Sequence, residues 1–142
     1  MALGTDIQVM IKGLVTSVFL ICTLLALTII CLSMGWFLIV FVIVLPPAMV
    51  LHFLAWHKAT KGHPTLYGWV VLSGLLFLIF SLFRLDKDEH GVYNGYQTAA
   101  YYLGMIESPH SEPYQYSLEI SFTLLLAVII LDALILRKAL KK

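Results

Sequence analysis

The chain has 142 residues, 61% hydrophobic and 12% charged, with a formal net charge of +1. Those totals exclude a disordered tail and a disulfide scaffold; so small a net charge says nothing about nucleic acid, and no Lys/Arg stripe with interleaved stacking aromatics points to it as a partner. The placement of charge excludes an ordinary soluble domain: residues 13–57 and 62–83 contain no Asp, Glu, Lys or Arg.

A bilayer core about 30 Å thick is crossed by about 20 apolar residues. The first uncharged run is about twice that length, so it must fold back on itself. Ser33-Met34-Gly35 is the turn-competent stretch near its middle. This predicts a first helix at about 13–32 and a second at about 36–56, joined so tightly that they become antiparallel neighbours. Trp36 and Trp56 would mark the two interfaces of the second helix. The first run is too long for a signal-peptide core and no A-x-A site follows, so it is read as a retained helix. Cys22 and Cys31 stand about 13 Å apart in helical rise, too far to bridge within the chain.

Pro46 and Pro47 fall in the middle of the second helix. They remove two backbone donors and predict a kink. A broken helix of the kind transporters use is the alternative. A polar loop at 57–65 leads through Pro64 into a third helix at about 65–83. An outer segment follows at 84–117, then a fourth helix at about 118–136, closed by Arg137, Lys138, Lys141 and Lys142.

Four spans place both termini and the 57–65 loop on one side. That side holds Lys12, Lys58, Lys61, Arg137, Lys138, Lys141 and Lys142, against Arg84 and Lys87 on the other. The bias predicts both termini in the cytoplasm and the 84–117 segment outside. The fold class this predicts is an all-α integral membrane protein. It would be one domain over 1–142, a four-transmembrane-helix bundle with a partly ordered outer segment.

Two ionisable residues interrupt the apolar helices. Asp132 lies about one and a half turns from the end of the fourth helix, and His52 lies inside the second. Counted along two parallel helices they reach similar depth. Each is costly alone in hydrocarbon, so they are expected to pair. The helix face of His52 also carries Phe41, Leu45 and Ala48, and that of Asp132 carries Ser121, Leu125 and Val128. The simpler readings are a boundary Asp132 close to Arg137, and a His52 satisfied by a carbonyl freed by the prolines.

Haem held across a bundle needs a second histidine on another helix, and the other three predicted helices have none. His52 and His57 diverge by about 140° round a helix. No cofactor or metal site is therefore expected. Asp86, Asp88 and Gly91 match half of a calcium loop, but Gln97 stands where the bidentate Glu belongs. An acidic turn is the simpler reading.

Tyr93, Tyr96, Tyr101 and Tyr102 follow that turn. A short helix at 98–106 would lay tyrosines at headgroup level, or present them to a partner. Small residues form stripes suited to close helix packing: Gly13, Ser17, Thr28 and Cys31 on the first helix, Gly74 and Ser81 on the third. No Ser/His/Asp or Cys/His nucleophile arrangement and no phosphate loop is legible along the chain.

These features favour a non-enzymatic membrane protein acting by association, as an accessory or assembly subunit. Its partners would be the lipid bilayer and a protein partner or homo-oligomer. A small oligomeric transporter or channel using His52 and Asp132 is the second reading. A membrane enzyme or haem anchor is the third.

Overall fold

A computed structural model describes residues 2–33, 38–87, 91–109 and 116–141. Met34, Gly35 and Trp36, the half-loop residues Asp88, Glu89 and His90, and Lys142 lie outside the described residues. The elements in chain order are α1 (Ala2–Leu32), α2 (Leu38–Thr60), a 3-10 turn (Pro64–Leu66), α3 (Tyr67–Phe83), β1 (Leu85–Lys87), β2 (Val92–Asn94), α4 (Gly95–Tyr102) and α5 (Ser117–Leu140). Among the described residues, three helical stretches are long and apolar enough to cross a membrane: Asp6–Leu32, Pro64–Phe83 and Ser117–Leu140.

Helix ends differ from the sequence expectation for definable reasons. The first helix starts near residue 2, not 13, because its first turns contain no proline and are rich in helix formers such as Ala2, Leu3, Gln8, Met10 and Lys12, which carry it through Asp6. Its 31 residues span about 46 Å, well beyond an apolar core of about 30 Å. The second helix ends at Thr60, not 56. Trp56 is one turn inside it, partly buried and stacked flat on Phe19 at 5.6 Å with 5° between planes. Thr60 closes the last turn by donating to the Trp56 carbonyl at 2.9 Å. Gly62 and Pro64 then stop the helix and restart the chain. The last helix covers 117–140, a turn longer at its end than expected.

Two apolar layers fix the helix directions. One joins Val15 and Phe19 of α1 with Ala55 and Ala59 of α2, Val70 of α3, and Leu131 and Ile135 of α5. The other joins Ala26 and Ile30 of α1 with Phe77 and Phe80 of α3 and Leu125 and Val128 of α5, with Leu45 and Met49 of α2 packed against them. So α1 and α3 run parallel, and α2 and α5 run opposite to them. The expected neighbour order changes. α1 packs along α3, α3 along α5 and α5 along α2, whereas α1 and α2 meet over a short stretch. Large rings between those two, Phe19 against His52, Phe53 and Trp56, hold the axes apart.

The buried face of α1 carries Val15, Phe19, Cys22, Thr23, Ala26 and Ile30, a helical i, i+3, i+4 pattern. Gly13, Ser17, Thr28 and Cys31 lie on the exposed face instead. Their stripe is therefore not the buried seam of α1. Gly74 does pack closely: a Cβ there would meet Phe19 Cα of α1 at 3.4 Å.

The described residues after α3 form two short paired strands and a short helix. β1 and β2 pair antiparallel with Leu85 opposite Asn94 and Lys87 opposite Val92. The short helix occupies 95–102 rather than 98–106. Its start is set by an Asn94–Gln97 capping box, in which the Asn94 N–H donates to Gln97 Oε1 at 2.6 Å. Its end is a Schellman turn. Gly104, at φ +71°, donates to the Tyr101 carbonyl and Met105 to the Ala100 carbonyl, both at 2.9 Å. Gly95 admits no side chain, because a Cβ would lie 1.9 Å from the Ser81 carbonyl oxygen. That close approach seats α4 on the end of α3.

Candidate functional site

Between the two apolar layers lies a polar cluster to which each long helix gives one residue. Thr23 of α1, His52 of α2, Ser73 of α3 and Asp132 of α5 are 0%, 1%, 0% and 1% exposed. His52 and Asp132 each lie about two turns before the end of their helices, and α2 and α5 run in the same direction, so the two residues come level. Apolar neighbours along each face, such as Ala48 on α2 and Leu125 and Val128 on α5, bury the two helices and aim both groups inward.

His52 Nδ1 and Asp132 Oδ2 are 2.8 Å apart. Ser73 donates its hydroxyl to Asp132 Oδ1 at 2.5 Å, and its oxygen also lies 3.2 Å from His52 Nδ1. Thr23 Oγ1 is 3.2 Å from His52 Nε2. A carboxylate at Asp132 only accepts hydrogen bonds, and with that acceptor the ring proton sits on Nδ1, which donates to it. Nε2 then accepts from Thr23 in the neutral ring, or donates to the Thr23 oxygen in the imidazolium. Both ring nitrogens keep a partner in either state. The ring is also held between Phe19 at 4.5 Å and Phe77 at 5.2 Å, centroid to centroid.

The readings of Asp132 as a solvated boundary residue and of His52 as bonded to a freed carbonyl do not describe this geometry. Pro46 and Pro47 lie exposed inside α2, which continues through them without a break. Thr23–His52–Asp132 reproduces the hydrogen-bond order of a hydrolase triad, hydroxyl to Nε2 and carboxylate to Nδ1. An arrangement illegible along the chain is thus assembled in space. Its members are sealed on all sides by side chains, whereas a nucleophile must face its substrate. What this arrangement does chemically is tie four helices together at one level.

A second buried polar network occupies the opposite end of the bundle. Arg84, 1% exposed, donates through Nη2 to the Ile30 carbonyl at 3.3 Å, to the Ser33 carbonyl and to Ser33 Oγ at 2.6 Å. It thereby caps the last carbonyls of α1, where a cation also suits the helix dipole. Arg84 Nη1 lies 2.9 Å from Asp86 Oδ2. Burial pushes the guanidinium pKa below its ordinary value, and the charge of Asp86 counters it. Asp86 is therefore committed to Arg84, not free as the first ligand of a calcium loop. Asn94 donates to the Phe83 carbonyl at 3.0 Å and accepts from Ser117 Oγ at 3.2 Å, joining the end of α3 to the start of α5.

This network rearranges the tyrosine set. Tyr93 is 5% exposed, because the β1–β2 register turns it inward opposite Asp86. Tyr96, Tyr101 and Tyr102 remain exposed, and Leu103, Met105 and Ile106 extend the same apolar surface. Sequence reasoning missed Thr23, Ser73 and the buried role of Arg84. The available signals were single hydroxyls deep in apolar runs and an arginine at the end of a span.

Compared with known proteins, the chain matches no family model, no curated protein and no solved structure.

Proposed function

We propose that this chain is a four-span membrane protein with both termini in the cytoplasm, acting by association as an accessory or assembly subunit of a membrane complex. The observation that carries this reading is the apolar surface of Tyr101, Tyr102, Leu103, Met105 and Ile106 at the end opposite the termini. Exposed contiguous apolar surface marks interaction sites, and tyrosine is a frequent interface anchor. The Schellman turn and the Asn94 network hold this surface in one shape, which lowers the entropic cost of docking. Three apolar stretches of spanning length support membrane insertion. The 23-residue α2 between the first two is the fourth span. Basic residues gathered at the end with the termini support the orientation.

Purification from native membranes in mild detergent tests this reading. The chain is expected in an assembly of fixed stoichiometry. The double variant Tyr102→Asp/Met105→Asp should run as a lone monomer with unchanged helical circular dichroism. A clean monomer from the unaltered chain contradicts the proposal.

A second reading, proton or ion handling by an oligomer, draws on the His52–Asp132 contact within hydrocarbon. It requires flux into liposomes that disappears in Asp132→Asn. Flux equal to that of empty liposomes across pH removes it.

A further inference from the structure

A groove of about 310 Å³ opens between the first turns of α1 and the connection from α2 to α3. Gln8, Val9 and Lys12 form one wall, and Thr60, Lys61, Gly62, Pro64 and Tyr67 form the other. We propose that this groove binds the phosphate of an anionic lipid headgroup. This rests on the reading of the apolar helices as membrane spans.

The chemistry of the lining is one-sided. Lys12 and Lys61 face the groove from opposite walls, Gln8 and Tyr67 add an amide and a phenol, and among the described residues no carboxylate lines it. Asp6, the nearest acidic residue on α1, is exposed and outside it. Two ammonium groups without a lining counter-charge suit a phosphate, which Lys binds as a point charge.

The depth of the groove selects a lipid. Lys12 and Lys61 are the last charged residues before the uncharged runs 13–57 and 62–83. Both therefore stand at the border between apolar helix and water, the level of phospholipid phosphates. On the apolar side of Lys12 and Lys61, Leu14 and Trp69 are 65% and 38% exposed. The acyl chains of a lipid held at the two lysines extend toward that apolar level, and a free phosphate would use the lysines but gain nothing from it. The volume is at the lower end of small-molecule sites, about 300–1,000 Å³, enough for a headgroup.

The full chain should be reconstituted into nanodiscs of mixed phosphatidylglycerol and phosphatidylcholine, and its retained lipid read by native mass spectrometry on release. One phosphatidylglycerol per chain is expected, favoured about ten- to thirtyfold over phosphatidylcholine from two lysines at the surface. Lys12→Ala/Lys61→Ala should abolish that preference. The charge-matched control Lys58→Ala/Lys141→Ala should keep it. Inorganic phosphate distinguishes the sources. Failure to displace the lipid supports a headgroup site, and displacement assigns the groove to soluble phosphates and overturns the lipid proposal. Equal retention of both lipids by the unaltered chain, or equal loss in the control, also overturns it. A chain that never enters nanodiscs contradicts the membrane reading itself, a different failure from insertion without lipid preference.

Discussion

Arg84→Ala should destabilise the protein by about 3–5 kcal/mol, the range for removing one partner of a buried charge pair. The substitution leaves the Asp86 carboxylate, itself 0% exposed, without its cation. It also uncovers the Ile30 and Ser33 carbonyls at the end of α1, which Arg84 reaches from the end of α3. Arg84→Lys should recover only part of the loss. An ammonium cannot present the planar fork that serves Ser33 with one nitrogen and Asp86 with the other. Reversible unfolding in mixed micelles measures both values. Limited proteolysis should also cut the 84–117 segment faster in Arg84→Ala, because the cap ties that segment to α1. A loss below about 1 kcal/mol, with unchanged proteolysis, would place Arg84 outside the structural network.

Asp132→Ala should cost about 1–3 kcal/mol. Interhelical hydrogen bonds within bilayers average about 0.6 kcal/mol and reach about 1.7, and Asp132 accepts from both His52 and Ser73. Those two donors would be left buried with one partner fewer, and a small void would remain between His52 and Ser73. Asp132→Asn should cost less, since its carbonyl oxygen still accepts from one of the donors. The same unfolding assay reads both. If Asp132→Ala proves as stable as the unaltered chain, the cluster contributes nothing to holding the helices.

Local sequence patterns locate the long helices but not their ends. Apolar runs and the Ser33 and Pro64 breaks locate the long helices because hydrocarbon thickness imposes a length. The ends of the runs are poor guides to the ends of the helices. Charge removes a residue from hydrocarbon but does not end a helix, so α1 continues outward past Lys12 and Asp6.

The depth of His52 and Asp132 is legible because both lie on helices of the same direction. Their hydroxyl partners are not. Mid-helix Ser and Thr commonly bond their own backbone, as Thr28 does to the Leu24 carbonyl at 2.9 Å and Thr123 to the Glu119 carbonyl at 2.7 Å. Nothing along the chain separates those hydroxyls from Thr23 and Ser73, which reach across to another helix. Tyr93 fails for a related reason. Whether it faces in or out depends on the register of two three-residue strands.

The central claim is that His52 and Asp132 are energetically coupled as part of a clasp joining the helices. A double-mutant cycle on stability in mixed micelles measures it most directly, comparing His52→Ala, Asp132→Ala and the pair. Coupling predicts that the double variant loses less than the sum of the singles, by about 0.5–2 kcal/mol. Strictly additive losses would show that the 2.8 Å contact carries no interaction energy, and would contradict the account.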